Sequence, residues 1–361
     1  MTPRAILLLT LLALTVGCLL LVGITVTAKV RRLQRSRTLE RLAAPQRRLV
    51  LEVASGEDDD NVAADALAGL RKAEWESIRP AVIAMLAKVR GAPAEQLVRV
   101  IAAHGEVELA RRRLTSGRSL HRARGAYLLG LVRAQDAVPE LLELLRDPAD
   151  EVRLVACRSL GFIADPAAAK AVLEAVVAPA GGDRVGVPSW VAAESLLAMG
   201  AGAQSALLAG LEHEDPRVRE VAITVTNHSS LPATIEALRV RLGKETEPDL
   251  RIAMVGALGR LGDHADLPAL LGAAEPNQSS GMRRAAVKAL GDLGHRDAAE
   301  PLSALLPDPD RALAAAAAEA LTHLGAVGID TLHAARAQGR EARRIAAAAL
   351  HVARLRESAG G

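Results

Sequence analysis

Three stretches of this 361-residue chain, DEVRLVACRSLG (residues 150–161), PDLRIAMVGALG (248–259) and SGMRRAAVKALG (280–291), share one frame. In each, an arginine stands eight residues before a glycine, with small or aliphatic residues between them at helical spacing. Weaker copies run from Arg122 to Gly130, Arg219 to Asn227 and Arg343 to His351, and two units lack the arginine, having Ser189 before Leu197 and Ala314 before Thr322. The positions that end the units are therefore 130, 161, 197, 227, 259, 291, 322 and 351, so most steps are about 29–32 residues. The longer step from 161 to 197 contains APAGGDRVGVP, an inserted loop.

Between these copies lies a second apolar pattern, seen in AVPELLELL (137–145), AAAKAVLEAV (167–176), LPATIEALRV (231–240), DLPALLGAA (266–274) and AAEPLSALL (298–306). Each reads as a helix opened by a small or acidic residue, often with proline in the first turn, where its missing N–H costs nothing. Turns such as DPAD, EDPR and PDPD follow. A helix–turn–helix unit recurring about every 31 residues marks a solenoid, because one helix pair cannot bury both of its apolar faces and must stack on neighbours. Composition agrees. Half the residues are hydrophobic but aromatics make up 1%, two Trp, one Tyr and one Phe, so the core must be built from Ala, Leu, Val and Ile. Ala and Leu are leading helix formers, and the chain reads as all-α.

The run from Pro139 to Gly161 nearly spells P-x-L-x-x-L-L-x-D-P-x-x-x-V-R-x-x-A-x-x-A-L-G, and on this pattern the chain resembles the HEAT repeats, in particular the bilin-lyase-like short class. The resemblance covers residues from about 117 to 356; from Trp75 to Leu114 the pattern is only helical, with PAEQLVRVIAAHG (93–105) as a degenerate copy. It implies an α-α superhelix in which the arginine and the turn aspartate form a ladder between neighbouring units. By that mapping Asp150 with Arg153, Asp215 with Arg219 and Asp249 with Arg251 are structural. It also implies that the second helix of each pair lines the concave face. Residues three and seven places before the unit end should point out of that face: Tyr127, Arg158, Glu194, Thr224, Gly256, Lys288, Glu319 and Ala348 in one column, and Ala123, Leu154, Trp190, Glu220, Ile252, Arg284, Ala315 and Arg344 in the other. Trp, Tyr and Arg dominate interface hot spots. Tyr127, Arg158, Trp190, Glu194, Glu220, Arg284 and Lys288 are therefore the candidate partner-binding residues. The competing reading of Trp190 is that it fills the gap left by the missing arginine at Ser189.

Residues 5–28, AILLLTLLALTVGCLLLVGITVTA, carry no charge and suffice as helix to cross a hydrocarbon core of about 30 Å. The expectation is a single transmembrane anchor; Val26-Thr27-Ala28 leaves cleavage and export as an alternative. Residues 29–52 hold eight basic and two acidic groups, which by the positive-inside rule places the larger C-terminal portion in the cytoplasm. Arg31, Arg32, Arg35 and Arg37 could also meet anionic lipid. The acidic GEDDDN run (56–61) reads as a linker whose last acidic residues cap a helix starting near Val62. The expected organisation is an anchor over 1–28, a basic stalk and acidic linker over 29–61, degenerate helical repeats forming a cap over 62–116, and the solenoid over 117–361. With 39 Arg among 45 basic residues, the chain looks bacterial in codon usage, and the location expected is a bacterial plasma membrane.

The single His213-Glu214 pair contrasts with the several His-Glu pairs that HEAT-type deoxyhypusine hydroxylases use for two irons, and His213 reads as a loop residue. No Walker loop or Ser-His-Asp spacing occurs, and the two cysteines suggest neither a disulfide framework nor a zinc site. Residues 29–120 hold 18 basic and 12 acidic groups while 121–361 hold 26 and 30, so the convincing repeats are slightly acidic and a nucleic-acid groove is not expected. The functional expectation is a non-enzymatic scaffold, without cofactor or metal, that binds another protein, a membrane enzyme confined to the same two dimensions being one candidate. A lyase or chaperone-like protein handling a prosthetic group is the alternative that the bilin-lyase resemblance implies.

Ala286, at a position where alanine lets stacked helices approach closely, should not tolerate bulk. Ala286→Phe is expected to overpack the junction and lower stability by about 1–3 kcal/mol or more in a thermal melt followed by circular dichroism.

Overall fold

The computed structural model describes residues 25–27, 29, 43–58, 60–178, 185–229, 231–337 and 339–360, and every regular element among them is helical. The anchor segment 5–28, apart from 25–27, and the arginines Arg31, Arg32, Arg35 and Arg37 lie outside the described residues. Among the described residues one stretch, Ser189–Leu211, is long and apolar enough to cross a membrane by length and composition alone. It is two helices joined by a tight 3-10 turn, and half of its most apolar window is buried.

The chain forms two compact units, residues 1–112 and 113–361. The first holds α1 (43–55), α2 (Val62–Ala68), α3 (Lys72–Leu86), α4 (Ala92–Ala103) and most of α5 (Glu106–Arg113). Here the acidic run does cap α2, but through its first aspartate. Asn61 takes a left-handed conformation that folds the chain back, so the Asp58 carboxylate accepts the Ala63 and Ala64 N–H groups at 2.9 Å each. Trp75 is buried on Ile78 and Val82's face of α3 and stacks on His104, ring centroids 4.0 Å apart. Its indole N–H donates to Glu106 at 3.0 Å, and Arg79 at 3.1 Å completes the pairing of that buried carboxylate. A buried charge is tolerated only when paired in this way.

The second unit is a repeat solenoid. Its helices are α6 (Ser119–Leu131), α7 (Val138–Leu144), α8 (Asp150–Ile163), α9 (Ala169–Glu174), α10 (Ser189–Met199), α11 (Gln204–Leu211), α12 (Pro216–His228), α13 (Pro232–Leu242), α14 (Pro248–Leu261), α15 (Leu267–Ala273), α16 (Ser280–Leu293), α17 (Ala299–Ala304), α18 (Arg311–His323), α19 (Gly325–Ala335) and α20 (Arg340–Gly360). The even-numbered helices are the second members of the pairs and pack side by side in one continuous layer from α6 to α20; the odd-numbered helices back them. The apolar stretches between the arginine-to-glycine copies thus become α7, α9, α13, α15 and α17, each except α13 entered through a short 3-10 turn.

The unit-ending glycines are explained by close approach, since none needs a positive φ. A Cβ on Gly130, Gly161, Gly259 or Gly291 would lie 2.6, 2.7, 2.4 or 2.8 Å from the Cα of Ser159, Ser195, Ala289 or Ala320, respectively. Each contacted residue sits two places before the end of the next unit, so one register repeats at all four junctions. Hydrogen on one helix and Ser or Ala on the next let the backbones meet. The candidate overpacking site Ala286 is fully buried in the same layer.

The arginine ladder is present, with different acids from those the pattern suggests. Arg122 binds Asp147 through two bonds of 2.7 and 2.8 Å, Arg219 binds Glu245 at 2.8 and 2.9 Å, and Arg283 reaches Asp308 at 2.8 Å. Each acid stands just after the odd-numbered helix of the next pair, about 25 residues on, where it also accepts N–H groups of its own turn: Ala149 on Asp147, Thr246 and Glu247 on Glu245, Asp310 on Asp308. Asp150 does bond Arg153, at 2.6 Å, but within one helix, and Asp215 instead caps α12 and pairs with Arg217 at 3.0 Å. The mapping therefore chose acids at the start of the even-numbered helix, which point along it, when the spanning acids belong to the preceding turn. No Asp249–Arg251 pair forms: 25 residues beyond Arg251 stands Pro276, and the Arg251 Nε has no hydrogen-bond partner among the described residues. For Arg153 the inserted loop supplies the acceptor, the Val185 carbonyl at 2.5 Å.

Burial pushes the Glu245 carboxyl up, but the Arg219 hydrogen bonds, the Glu247 amide and the charges of Arg219 and Arg241 outweigh it and hold its pKa at about 2, below the ordinary 4.5. Its folded value is depressed, so its stabilisation is fully present above pH 4.5 and lost as pH falls towards about 2. Glu245→Gln leaves Arg219 buried without its counter-charge and should cost about 3–5 kcal/mol at pH 7. Melts at pH 7 and pH 3 should show a smaller acid-induced drop for the variant than for the natural chain.

Candidate functional site

The even-numbered helices present a face opposite to their backing layer, and the two columns fall on it. Tyr127 is 39% exposed and Trp190 59% exposed, and Glu194, Glu220, Arg284 and Lys288 are exposed as well. Arg158 is half-buried because its guanidinium lies over the Trp190 ring, 4.9 Å from the centroid, and faces Glu194 at 3.6 Å. The sequence therefore brings Arg158, Trp190 and Glu194 into one cluster across α8 and α10. Glu220 of α12 joins it through the Ser189 hydroxyl, 3.4 Å from its carboxylate. Arg284 and Lys288 lie apart on α16, where Arg284 pairs with Asp310 at 3.2 Å.

Trp190 does not fill a gap in the ladder, since more than half its surface meets solvent. Its neighbour Ser189 points instead to Glu220, and the buried Val187 of the returning loop, whose N–H donates to Ala175, closes that junction.

One residue escaped the two columns. Phe162 is 39% exposed, one place after the unit end. Positions seven and three before and one after that end are four residues apart, so they share one helical face. Arg158 thus has Leu154 and Phe162 one turn to either side on α8, Tyr127 at the same register on α6, and Trp190 and Glu194 on α10. Three of the four aromatic residues of the chain therefore fall on this face, on α6, α8 and α10, with Trp190 against the Arg158 guanidinium. Extending the column by one turn would have found Phe162 in the sequence.

Charge changes sign along this face. The aromatic part carries Glu194 and Glu220 against Arg158; the α14–α16 part carries Arg260, Arg284 and Lys288 around Gly256, where an added Cβ would meet open space. At the end of the layer Ala315, Ala348 and Val352 line a groove of about 410 Å³ between α18 and α20, bridged by the Arg356–Glu319 pair at 3.2 Å. It exists because both helices offer alanine where their neighbours offer larger side chains.

Reactive groups are few. Burial pushes the Cys157 thiol up to about 12, so it is held as a thiol, 3.7 Å from the Ser195 hydroxyl. His213 lies in the turn before α12 and accepts the Asp215 N–H at 3.0 Å, the role of a loop residue. Among the described residues no group of three or more His, Cys, Asp or Glu is placed to hold a metal ion.

Residues 107–185 and 205–280 match the family of HEAT repeats. No curated protein matches the chain in sequence. Among solved structures, the chain is similar to YibA of Escherichia coli at 17% identity, covering 74% of this chain and 97% of that one with a TM-score of 0.39. It is similar to Kap121p at 12% identity over 80% of this chain and 46% of that one, TM-score 0.38. A third likeness is to the CpcE–CpcF complex of phycocyanin lyase from Nostoc sp. PCC7120, at 22% identity over 68% of this chain and 93% of that one, TM-score 0.28.

Because the ring of Trp190 is exposed and supports no buried contact of the core, truncating it should leave the fold intact. Trp190→Ala is expected to shift stability by about 0.5 kcal/mol or less, the usual size for a surface change, measured by urea unfolding. A loss of several times that would show the ring to be part of the junction.

Proposed function

We propose that this chain is a non-enzymatic scaffold that binds another protein on the exposed face of its even-numbered helices, centred on Arg158, Trp190, Phe162 and Tyr127. The observation that carries the reading is the placement of the aromatics. A chain with four aromatic residues builds its core from alanine and leucine, yet leaves three of the four exposed on one face, one of them under the half-buried Arg158. Aromatic side chains and arginine supply the anchoring energy of protein interfaces, and exposure of scarce rings on one face is hard to account for by packing. A solenoid offers extended surface for such contact.

The apolar segment 5–28 would hold this scaffold at a bacterial plasma membrane, with the basic residues after it favouring a cytoplasmic solenoid. The partner would then be a protein confined to the same membrane, a membrane enzyme being the natural case, because shared confinement raises effective concentration. Arg31, Arg32, Arg35 and Arg37 would add contact with anionic headgroups.

Photocrosslinking from position 198, an exposed alanine one turn beyond Glu194 on α10, in native membranes, followed by mass spectrometry, should yield one dominant adduct. Trp190→Ala combined with Phe162→Ala should reduce that adduct about ten-fold or more, the loss expected when a hot spot worth over 1 kcal/mol is removed, while the helical melt is unchanged. An adduct of undiminished yield in the double variant would overturn the docking face.

A further inference from the structure

We infer that the protein partner anchors on this face with a cationic side chain, an arginine or lysine laid against the uncovered side of the Trp190 indole. The inference rests on the docking reading above and names the chemistry of its anchor. Its first support is geometric. Arg158 covers one side of the indole at 4.9 Å and is itself fixed by Glu194 at 3.6 Å, so the ring is held in place while 59% of the residue stays accessible. A pre-oriented ring loses little entropy on binding.

The second support is charge. The indole face is the negative region of its quadrupole and attracts cations. Around it stand two carboxylates, Glu194 one turn along α10, 63% exposed, and Glu220, held against the Ser189 hydroxyl at 3.4 Å. Arg158 offsets one of them. Among the described residues the other nearby cations are committed elsewhere: Arg217 binds Asp215 at 3.0 Å, and Arg260 binds Asn227 at the far end of α12 from Glu220. Among these residues the cluster therefore keeps one uncompensated negative charge beside an open π-face. An aliphatic anchor would gain from the rings but would desolvate Glu194 and Glu220 without a partner, which is unfavourable. An incoming guanidinium satisfies both, stacking on the ring and pairing with Glu220, and would complete a layered arginine–tryptophan–cation arrangement.

The probe is an acetylated hexa-arginine amide, titrated against the full chain in non-ionic detergent and followed by calorimetry and tryptophan emission, with hexa-glutamine and hexa-glutamate of equal length as comparisons. Hexa-arginine should bind and change the emission, and the other two should not. Trp190→Leu, which keeps apolar bulk but removes the π-face, and the double change Glu194→Gln with Glu220→Gln should each weaken binding about ten-fold. Lys288→Gln, on the basic part of the face, should leave it within about two-fold, well under the energy of one such contact. Binding of hexa-arginine that is undiminished in Trp190→Leu, or equal binding of all three peptides, would overturn the inference. If hexa-arginine does not bind while the crosslinked adduct still depends on Trp190 and Phe162, the cationic anchor is wrong and the docking face stands. If the adduct is indifferent to both residues, the docking face itself fails.

Discussion

Everything in the second unit depends on two helix backbones being allowed to touch. At Gly130, Gly161, Gly259 and Gly291 a single hydrogen meets Ser159, Ser195, Ala289 or Ala320, and this sets the spacing of the even-numbered layer. The absence of a side chain at one point of each helix is what lets Leu, Val and Ile on the flanking turns interlock without large aromatic fillers. It also explains why the chain can build its core with so few rings. Where Leu197 and Asn227 replace the glycine, the register is kept by other means: a loop that returns Val187 into the junction, and the Arg219–Glu245 pair.

The arginine ladder works on a second scale. A guanidinium half or fully withdrawn from water needs acceptors, and Arg122, Arg219 and Arg283 each find a nearby backbone carbonyl and a carboxylate of the next unit, as Arg122 does with Ser116 and Asp147. The ladder ties the turns, while the glycines tie the helix centres. Since the carboxylates also cap their own turns, one acid both shapes the connection and locks it to its neighbour.

Much of this was legible in the sequence because helical periodicity and a fixed repeat length reinforce each other. The Arg-to-Gly frame gave the even-numbered helices, and the proline-opened apolar runs gave the helices behind them. The acids were misassigned because Asp147 and Asp150 lie three residues apart in the same turn, and spacing alone does not tell which carboxylate crosses to the neighbour. A following proline does not separate them: Asp147 and Asp308 precede proline, but so do the capping residues Asp165 and Asp215, and Glu245 does not, so only the geometry reveals the spanning acids. On the candidate face, Tyr127, Arg158, Trp190 and Glu194 could be placed by counting back from unit ends. Phe162 could not, because the count stopped at the unit end instead of continuing one more turn. The stacking of Arg158 on Trp190 depends on rotamers, which no one-dimensional pattern encodes.

Arg251, unlike Arg122, Arg219 and Arg283, meets no carboxylate of the next unit among the described residues. Where a carboxylate would stand there is Pro276, and at that same joint Gly259 makes the nearest approach of the four unit-ending glycines, 2.4 Å from Ala289 Cα to an imagined Cβ. Two joints of one array thus lean on different forces. The α6–α8 joint, with Arg122 and Asp147, should loosen in acid or strong electrolyte, whereas the α14–α16 joint, with no ion pair across it among the described residues, should respond less to both and weaken on cooling, as apolar contact does. An array of outwardly identical units therefore has a distinct seam for each kind of stress.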